Sequence, residues 1–275
     1  MIDNLKYKKK KFDLPIEHLR DLLNLIRQDI KFKYTPFKLY YKYRSYKYAN
    51  KITPELNLIK MLTDKNKISL DIGANLGLFT FFIQKNSKFV YAFEPNPFPL
   101  RYLYGLVSEN VKVVPIAISN HNDEVILNIP KKPKGWSSNG ASLKDTNVFH
   151  IKYKVDSRTI DSLKIENIEF IKIDVEGNEM AVLEGATETL LNQKPNLLVE
   201  NEFIHQEKPY EIFKFLEEYN YIAYYALQKN KITKVTNNFN LKKLQQNPET
   251  KRYGYVQNFI FIHKNNHKKF NQIIE

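Results

Sequence analysis

The segment Ile68-Ser69-Leu70-Asp71-Ile72 runs straight into Gly73-Ala74-Asn75-Leu76-Gly77 and then into the apolar stretch Leu78-Phe79-Thr80-Phe81-Phe82-Ile83. This reads as a short buried strand, a tight turn and a helix over 76–84, and two of the chain's eight glycines sit in that turn. Glycine at 73 and 77 permits backbone angles closed to other residues and lets another group approach the main chain closely. The first amides of the following helix have no partner within it, so they face whatever lies above the turn.

The same alternation continues downstream. Residues 89–93 predict a second strand, 97–106 a helix and 111–118 a third strand, all with short connections. A β-α-β-α-β rhythm of this kind implies a parallel sheet covered on both faces. Residues 121–160 break it, because 124–129 and 148–155 read as antiparallel strands around a polar loop, 130–147. It resumes with a strand at 168–173, a helix at 180–191 and a strand at 197–202. A helix over 210–219 follows, then strands at 221–227 and 255–263 separated by a polar stretch. Upstream, Ile16, Leu19, Leu22, Leu23, Ile26 and Ile30 recur at helical spacing, which predicts an amphipathic helix over 15–30. Pro54 is suited to open another over 55–62. The expected organisation is a basic, Tyr-rich helical extension, 1–66, followed by one α/β domain, 67–275.

Composition narrows the function classes. The chain has no cysteine, which excludes disulfides, thiolate metal sites and a cysteine nucleophile and fits a reducing, cytoplasmic setting. No apolar run reaches the roughly 20 residues that span a bilayer. The basic N-terminus leads into IEHLRDLL, where charges interrupt the apolar core a signal peptide needs, so a soluble, unprocessed chain is expected. The formal charge of +13 raises a polyanion partner. Lysine rather than arginine supplies it, however, and arginine is the better bidentate phosphate ligand. An abundance of Lys, Asn, Ile, Tyr and Phe also fits an AT-rich coding bias. Nucleic acid is therefore the disfavoured partner.

Glu94 ends the second strand, 21 residues beyond Gly73, where doubly wound folds place a carboxylate on ribose hydroxyls. A carboxylate suits a vicinal diol because it accepts two hydrogen bonds at once. The dinucleotide pattern G-x-G-x-x-G is absent, since position 75 is Asn. That points to an adenosine ligand without a pyrophosphate.

Taken together, LDIGANLGLFT (70–80), AFEPNP (92–97), VVPIAISN (113–120), RTIDSL (158–163), FIKIDVEGNEMAVLEGA (170–186), LLVENE (197–202) and QNFIFI (257–262) resemble the FkbM family of methyltransferases, over roughly 66–205 and more weakly to 263. The resemblance implies a class I methyltransferase fold: a doubly wound, mainly parallel, seven-stranded Rossmann-like α/β sheet, with the N-terminal helical extension added. It also implies S-adenosylmethionine as cofactor and O-methylation, often of sugar hydroxyls in glycans, polyketides or lipids. On this resemblance Gly73, Asn75 and Gly77 line the methionine and ribose portion, Glu94 holds the ribose, and Ala117, Ile118 and Ser119 flank the adenine. Asp71 and Pro95, inside the same motifs, are counted with the cofactor site.

Ligands of such sheets sit beyond the carboxyl ends of the strands at the switch point. Asp174, Glu176 and Glu179 follow the fourth strand there, and Glu200, Asn201, Glu202 and His205 follow the fifth. So many acids in one cleft repel unless offset by a raised pKa, a cation or hydrogen bonds. A sugar hydroxyl is a poor nucleophile until it loses its proton, which requires a base or a metal. Asp174, Glu176 and His205 are the candidate bases. Asp174 with Glu200-Asn201 also resembles the magnesium set of catechol O-methyltransferases, so Mg²⁺ or Mn²⁺ on Asp174, Glu200 and Asn201 is a second expectation. Glu179 equally fits a helix-start acid favoured by the helix dipole.

The Tyr- and Lys-rich stretch 31–48 offers rings beside cations, suited to an anionic glycan, a lipid-linked sugar or a membrane surface, or simply to covering the sheet. The reading that results is an O-methyltransferase acting on a saccharide or glycolipid. An RNA methyltransferase and a non-catalytic adenosine-binding protein are its rivals. Against the first, the [ND]-P-P-[YF] motif of base methylation is replaced here by Asp-Val-Glu-Gly.

Overall fold

The computed structural model describes residues 54–132, 135–136, 140–143, 150–203, 208–228, 230–236, 239–245 and 255–275, together with Tyr43 and Lys47. The helix expected over 15–30, most of the Tyr-rich stretch and His205 lie outside the described residues.

A 3-10 turn, Pro54–Asn57, leads into α1 (Ile59–Leu62). Then come β1 (Ile68–Ile72), α2 (Leu78–Ile83), β2 (Phe89–Phe93), α3 (Pro97–Leu106) and β3 (Val111–Val114). A second group follows: β4 (Ala117–Ile118), β5 (Asp123–Lys132), β6 (Gly135–Trp136) and β7 (His150–Arg158). The α/β pattern returns with β8 (Ile168–Ile173), α4 (Glu179–Glu184), α5 (Thr187–Asn192), β9 (Asn196–Glu200) and α6 (Glu211–Glu218). The chain ends in β10 (Tyr221–Gln228), β11 (Lys231–Lys234), α7 (Leu241–Leu244), β12 (Asn258–His263) and a 3-10 segment, Lys264–Phe270.

Eight strands form the main sheet in the order β11-β10-β12-β9-β8-β1-β2-β3. β3, β2, β1, β8 and β9 are mutually parallel, while β12 runs antiparallel between β9 and β10. The chain moves outward from β1 through β2 to β3 and returns on the other side of β1 as β8. The switch point therefore lies between β1 and β8, and a ligand crevice is expected above it. Side-chain alternation sends Leu70, Ile72, Ile171 and Ile173 into one core, with Val182, Leu183 and Leu216. Val90, Phe170 and Leu198 enter the other, under Leu58, Ile59, Leu62 and Phe270. Residues 54–62, which a boundary at 66 assigns to the extension, thus help to cover the sheet.

The doubly wound α/β expectation holds, with one strand added to the seven. The addition is β11, whose sequence KITK sits on an exposed edge and carries too little apolar signal to read as a strand. The strand expected over 111–118 is two strands in two sheets. Pro115 has no amide to continue the ladder, and β4 leaves to pair with β7. β5 and β7 pair antiparallel, as 124–129 and 148–155 suggested.

The helix expected over 180–191 is also two, broken at Gly185-Ala186. Gly185 packs against the Ser119 carbonyl so closely that a Cβ there would lie 2.2 Å from its oxygen. Asp161 supplies the cap that restarts the helix, accepting from Glu188 N, Thr189 N and Thr189 Oγ1 at 2.7–2.9 Å. Gly185→Ala pushes methyl against main chain, and we expect it to cost about 1–3 kcal/mol in urea or thermal unfolding. Unfolding indistinguishable from wild type would show that this packing yields.

Candidate active site

An open cleft lies above the β1–β8 switch point. Gly73, Asn75, Glu94 and Pro95 form one side, and Asp174, Val175, Glu176 and Asn178 the other. Apolar groups close one end: Phe93, Ile116, Ala117, Ile118, Leu127, Ala141 and Leu143.

The turn after β1 is pinned by its neighbours. The amides of Gly73 and Ala74 both donate to the Phe93 carbonyl at 3.0 Å. Gly73 has φ 77°, and a Cβ on it would lie 1.7 Å from the Asp174 carbonyl oxygen, so only glycine fits. Asn75, at φ 48°, delivers its amide to Glu94 Oε2 at 2.7 Å, while Asn96 N donates to Oε1 at 2.8 Å. Burial pushes Glu94 up to about 7 despite those two bonds, with Asp71 and Asp174 adding to the rise. Each carboxylate oxygen keeps capacity for a further donor.

Of the residues expected in the cofactor site, Gly73, Asn75, Glu94, Pro95, Ala117 and Ile118 line the cleft; Asp71, Gly77 and Ser119 are not among its lining residues. Asp71 is buried below the turn and accepts from Thr80 Oγ1 at 2.5 Å; burial pushes it up to about 6. Gly77, at φ 80°, starts α2 in close contact with Leu103 and Leu106. Ser119 Oγ accepts from Asn178 Nδ2 at 3.2 Å and so supports a lining residue.

On the other side, Asp174 and Glu176 both reach the cleft. The Glu176 carboxylate accepts from Gly140 N at 2.9 Å and its carbonyl from Ser142 Oγ at 2.8 Å, fastening the 140–143 segment. Glu179 is buried and accepts from Val175 N and Gly177 N at 3.0–3.1 Å; it closes the turn, with its pKa raised by burial. Glu202 accepts from Tyr255 Oη at 3.2 Å and from Gln257 Nε2.

The expected metal set is not assembled. Successive strand residues point to opposite faces. Burial first and then the neighbouring Asp174 raise the pKa of Glu200 well above the usual carboxylate range. Asn201 instead donates to the Pro209 carbonyl at 2.7 Å from a fully buried position. A lysine already occupies the neighbourhood: Lys172 Nζ lies 3.2 Å from Asp174 Oδ2. Among the described residues no three acidic or histidine side chains form a group able to hold a metal. The residues present do not fit Mg²⁺ or Mn²⁺.

Sequence reasoning passed over Lys172, although a charge inside the otherwise apolar strand IEFIKI was a visible signal. It also missed Leu127, Ala141, Leu143 and Asn178, whose place in the cleft depends on how the second sheet docks.

A nucleoside with an apolar base fits what remains. The glycine turn leaves space above the main chain, Glu94 offers paired acceptors, and the apolar end accommodates a flat ring.

Residues 71–223 match the model of the methyltransferase FkbM domain. No curated protein sequence matches the chain. Among solved structures, it is similar to methyltransferase FkbM from Methylobacillus flagellatus KT (16% identity, TM-score 0.46), covering 72% of this chain but 44% of that one. It thus spans less than half of that protein's length. It is also similar to an rRNA methylase from Streptococcus thermophilus (14%, TM-score 0.40, 75% and 91% covered). A third is M. capricolum TrmK in complex with S-adenosyl-homocysteine (16%, TM-score 0.38, 80% and 70% covered). With the domain match spanning more than half of its 275 residues, the chain belongs to the FkbM methyltransferase family.

Proposed function

We propose that this family member transfers a methyl group from S-adenosylmethionine to a hydroxyl oxygen of a saccharide or glycolipid, with Asp174 as the base. The observation that carries the cofactor half is the Glu94 carboxylate, held by the Asn75 and Asn96 amides beside the glycine turn. A buried acid fixed by two backbone donors is poised to accept the hydroxyls of a ribose.

Bound S-adenosylmethionine supplies an electrophilic methyl on a sulfonium, a leaving group that needs no activation. The protein's tasks are alignment and removal of the acceptor's proton. Asp174 suits the second task because its side chain is 31% exposed at the cleft and is oriented by Lys172. Its carboxylate takes the hydroxyl proton as the oxygen becomes the nucleophile. Glu176 is committed to the 140–143 segment, which leaves it the weaker candidate. His205, outside the described residues, stays a candidate base. Leu127, Ala141 and Leu143 form an apolar wall at one end of the cleft.

Calorimetry with S-adenosylmethionine and its demethylated product tests the cofactor half; absence of heat with both sinks it. Affinity should rise with pH through about 7, because protonation of Glu94 converts an acceptor oxygen into a donor. A flat profile between pH values about one unit either side of 7 counts against Glu94. Glu94→Gln should weaken binding by about tenfold to a hundredfold, the equivalent of one charged hydrogen bond. Asp174→Asn should retain cofactor binding yet lose about 10²–10⁴ in methyl transfer. The acceptor is tested by offering glycans, glycolipids and RNA with radiolabelled cofactor. Transfer to RNA alone, or to nothing, would replace the saccharide assignment.

A further inference from the structure

Lys172 is buried completely within β8, with its side chain 1% exposed. Strand register places it level with Asp71 on β1, and the Asp174 carboxylate lies one step higher at 3.2 Å. Its ammonium also donates to the Ile173 carbonyl at 3.2 Å and lies 4.9 Å from the centre of the Phe79 ring on α2. Glu200 from β9 and Glu55 from the N-terminal 3-10 turn are the other charged groups within its field. Asp174 thus touches the ammonium, while Asp71, Glu55 and Glu200 lie within reach of its charge. An unpaired buried ammonium would be neutral or absent.

We propose that Lys172 is the internal cation of the acceptor side: a positioning residue whose ammonium fixes the Asp174 carboxylate at the cleft and balances the acids beside it, as a divalent ion does in metal-assisted hydroxyl activation. Lys172 contacts neither substrate nor cofactor in this scheme and acts through Asp174. Burial and the neighbouring Asp174 hold Glu200 well above the usual carboxylate range, and Lys172 opposes that rise. The functional half rests on Asp174 being the base; the electrostatic half stands without it.

Lys172→Met keeps the bulk and removes the charge, so melting curves across pH separate the two roles. Burial already pushes Glu55 up to about 7 and Asp71 to about 6, and Lys172 opposes both shifts. Acids raised in the folded state cost stability as pH climbs from their unfolded values through these folded ones. Without the ammonium that cost grows and reaches higher pH. The variant should therefore melt with wild type near pH 5, within about 2 °C, and fall behind by about 4 °C or more near pH 8. A constant deficit at all pH values, or a variant unfolded even near pH 5, would mean packing alone and overturn the proposal.

Paramagnetic resonance titration of the unaltered protein with Mn²⁺ gives a second reading. No stoichiometric site is expected, whereas one that disappears in Asp174→Asn would show that a metal, not Lys172, completes the cluster. Failure of wild type to bind S-adenosylmethionine would remove the enzymatic reading and leave both of these results intact.

Discussion

The turn after β1 and the end of β8 meet where Gly73 faces the Asp174 carbonyl with no room for a Cβ. Two parallel strands can leave a sheet touching in this way only if one residue carries no side chain. The Asp174 amide donates to the Ile72 carbonyl at 3.0 Å, and the next two amides of the turn donate to Phe93. The turn is therefore fixed on both flanks before any ligand arrives. That fixation brings the Asn75 amide to Glu94 and places Asp174 across the cleft from it.

Charge is the second constraint, and the buried acids meet it by different means. Glu94 and Glu179 each receive two main-chain amides, donors that cost nothing further to orient once the turns are folded. Asp71 relies on the Thr80 hydroxyl. Asp174 leans on Lys172, which also opposes the rise that burial gives Glu200. Of these acids Glu94 and Asp174 line the cleft from opposite sides, while Asp71, Glu179 and Glu200 stand behind it. A cleft whose nearest charges are mainly carboxylates is also a favourable place for a cationic sulfonium.

The central strands were legible because each is short, apolar on both faces and bounded by a glycine or polar turn. Residues 68–72, 89–93 and 168–173 needed no knowledge of their partners. The breaks at Pro115 and Gly185 were written in single residues, but their cause lies in the second sheet: β4 leaving to join β7, and Ser119 pressing on Gly185. Asn201 could have been separated from Glu200 by the period of two alone. The resemblance to a metal-binding triplet overrode that simple geometric fact. Lys172 was visible but mute, since Glu55, Asp71, Asp174 and Glu200 meet only once the sheet has assembled.

The stretch that broke the α/β rhythm also has a place in the site. β5 and β7 carry Leu127 to the cleft, and Asn128 and Ser142 exchange backbone bonds at 2.8 and 3.1 Å, drawing Ala141 and Leu143 alongside. Glu176 ties this wall to the end of β8 through Gly140 and Ser142, adopting φ 54° to do so. A left-handed non-glycine residue costs on the order of 1–2 kcal/mol, which two hydrogen bonds of ordinary strength offset. Two acids separated by one residue thereby take different work. Glu176 is held by the Gly140 amide and the Ser142 hydroxyl to shape the pocket, and Asp174, braced by an ammonium from below, is left facing the cleft.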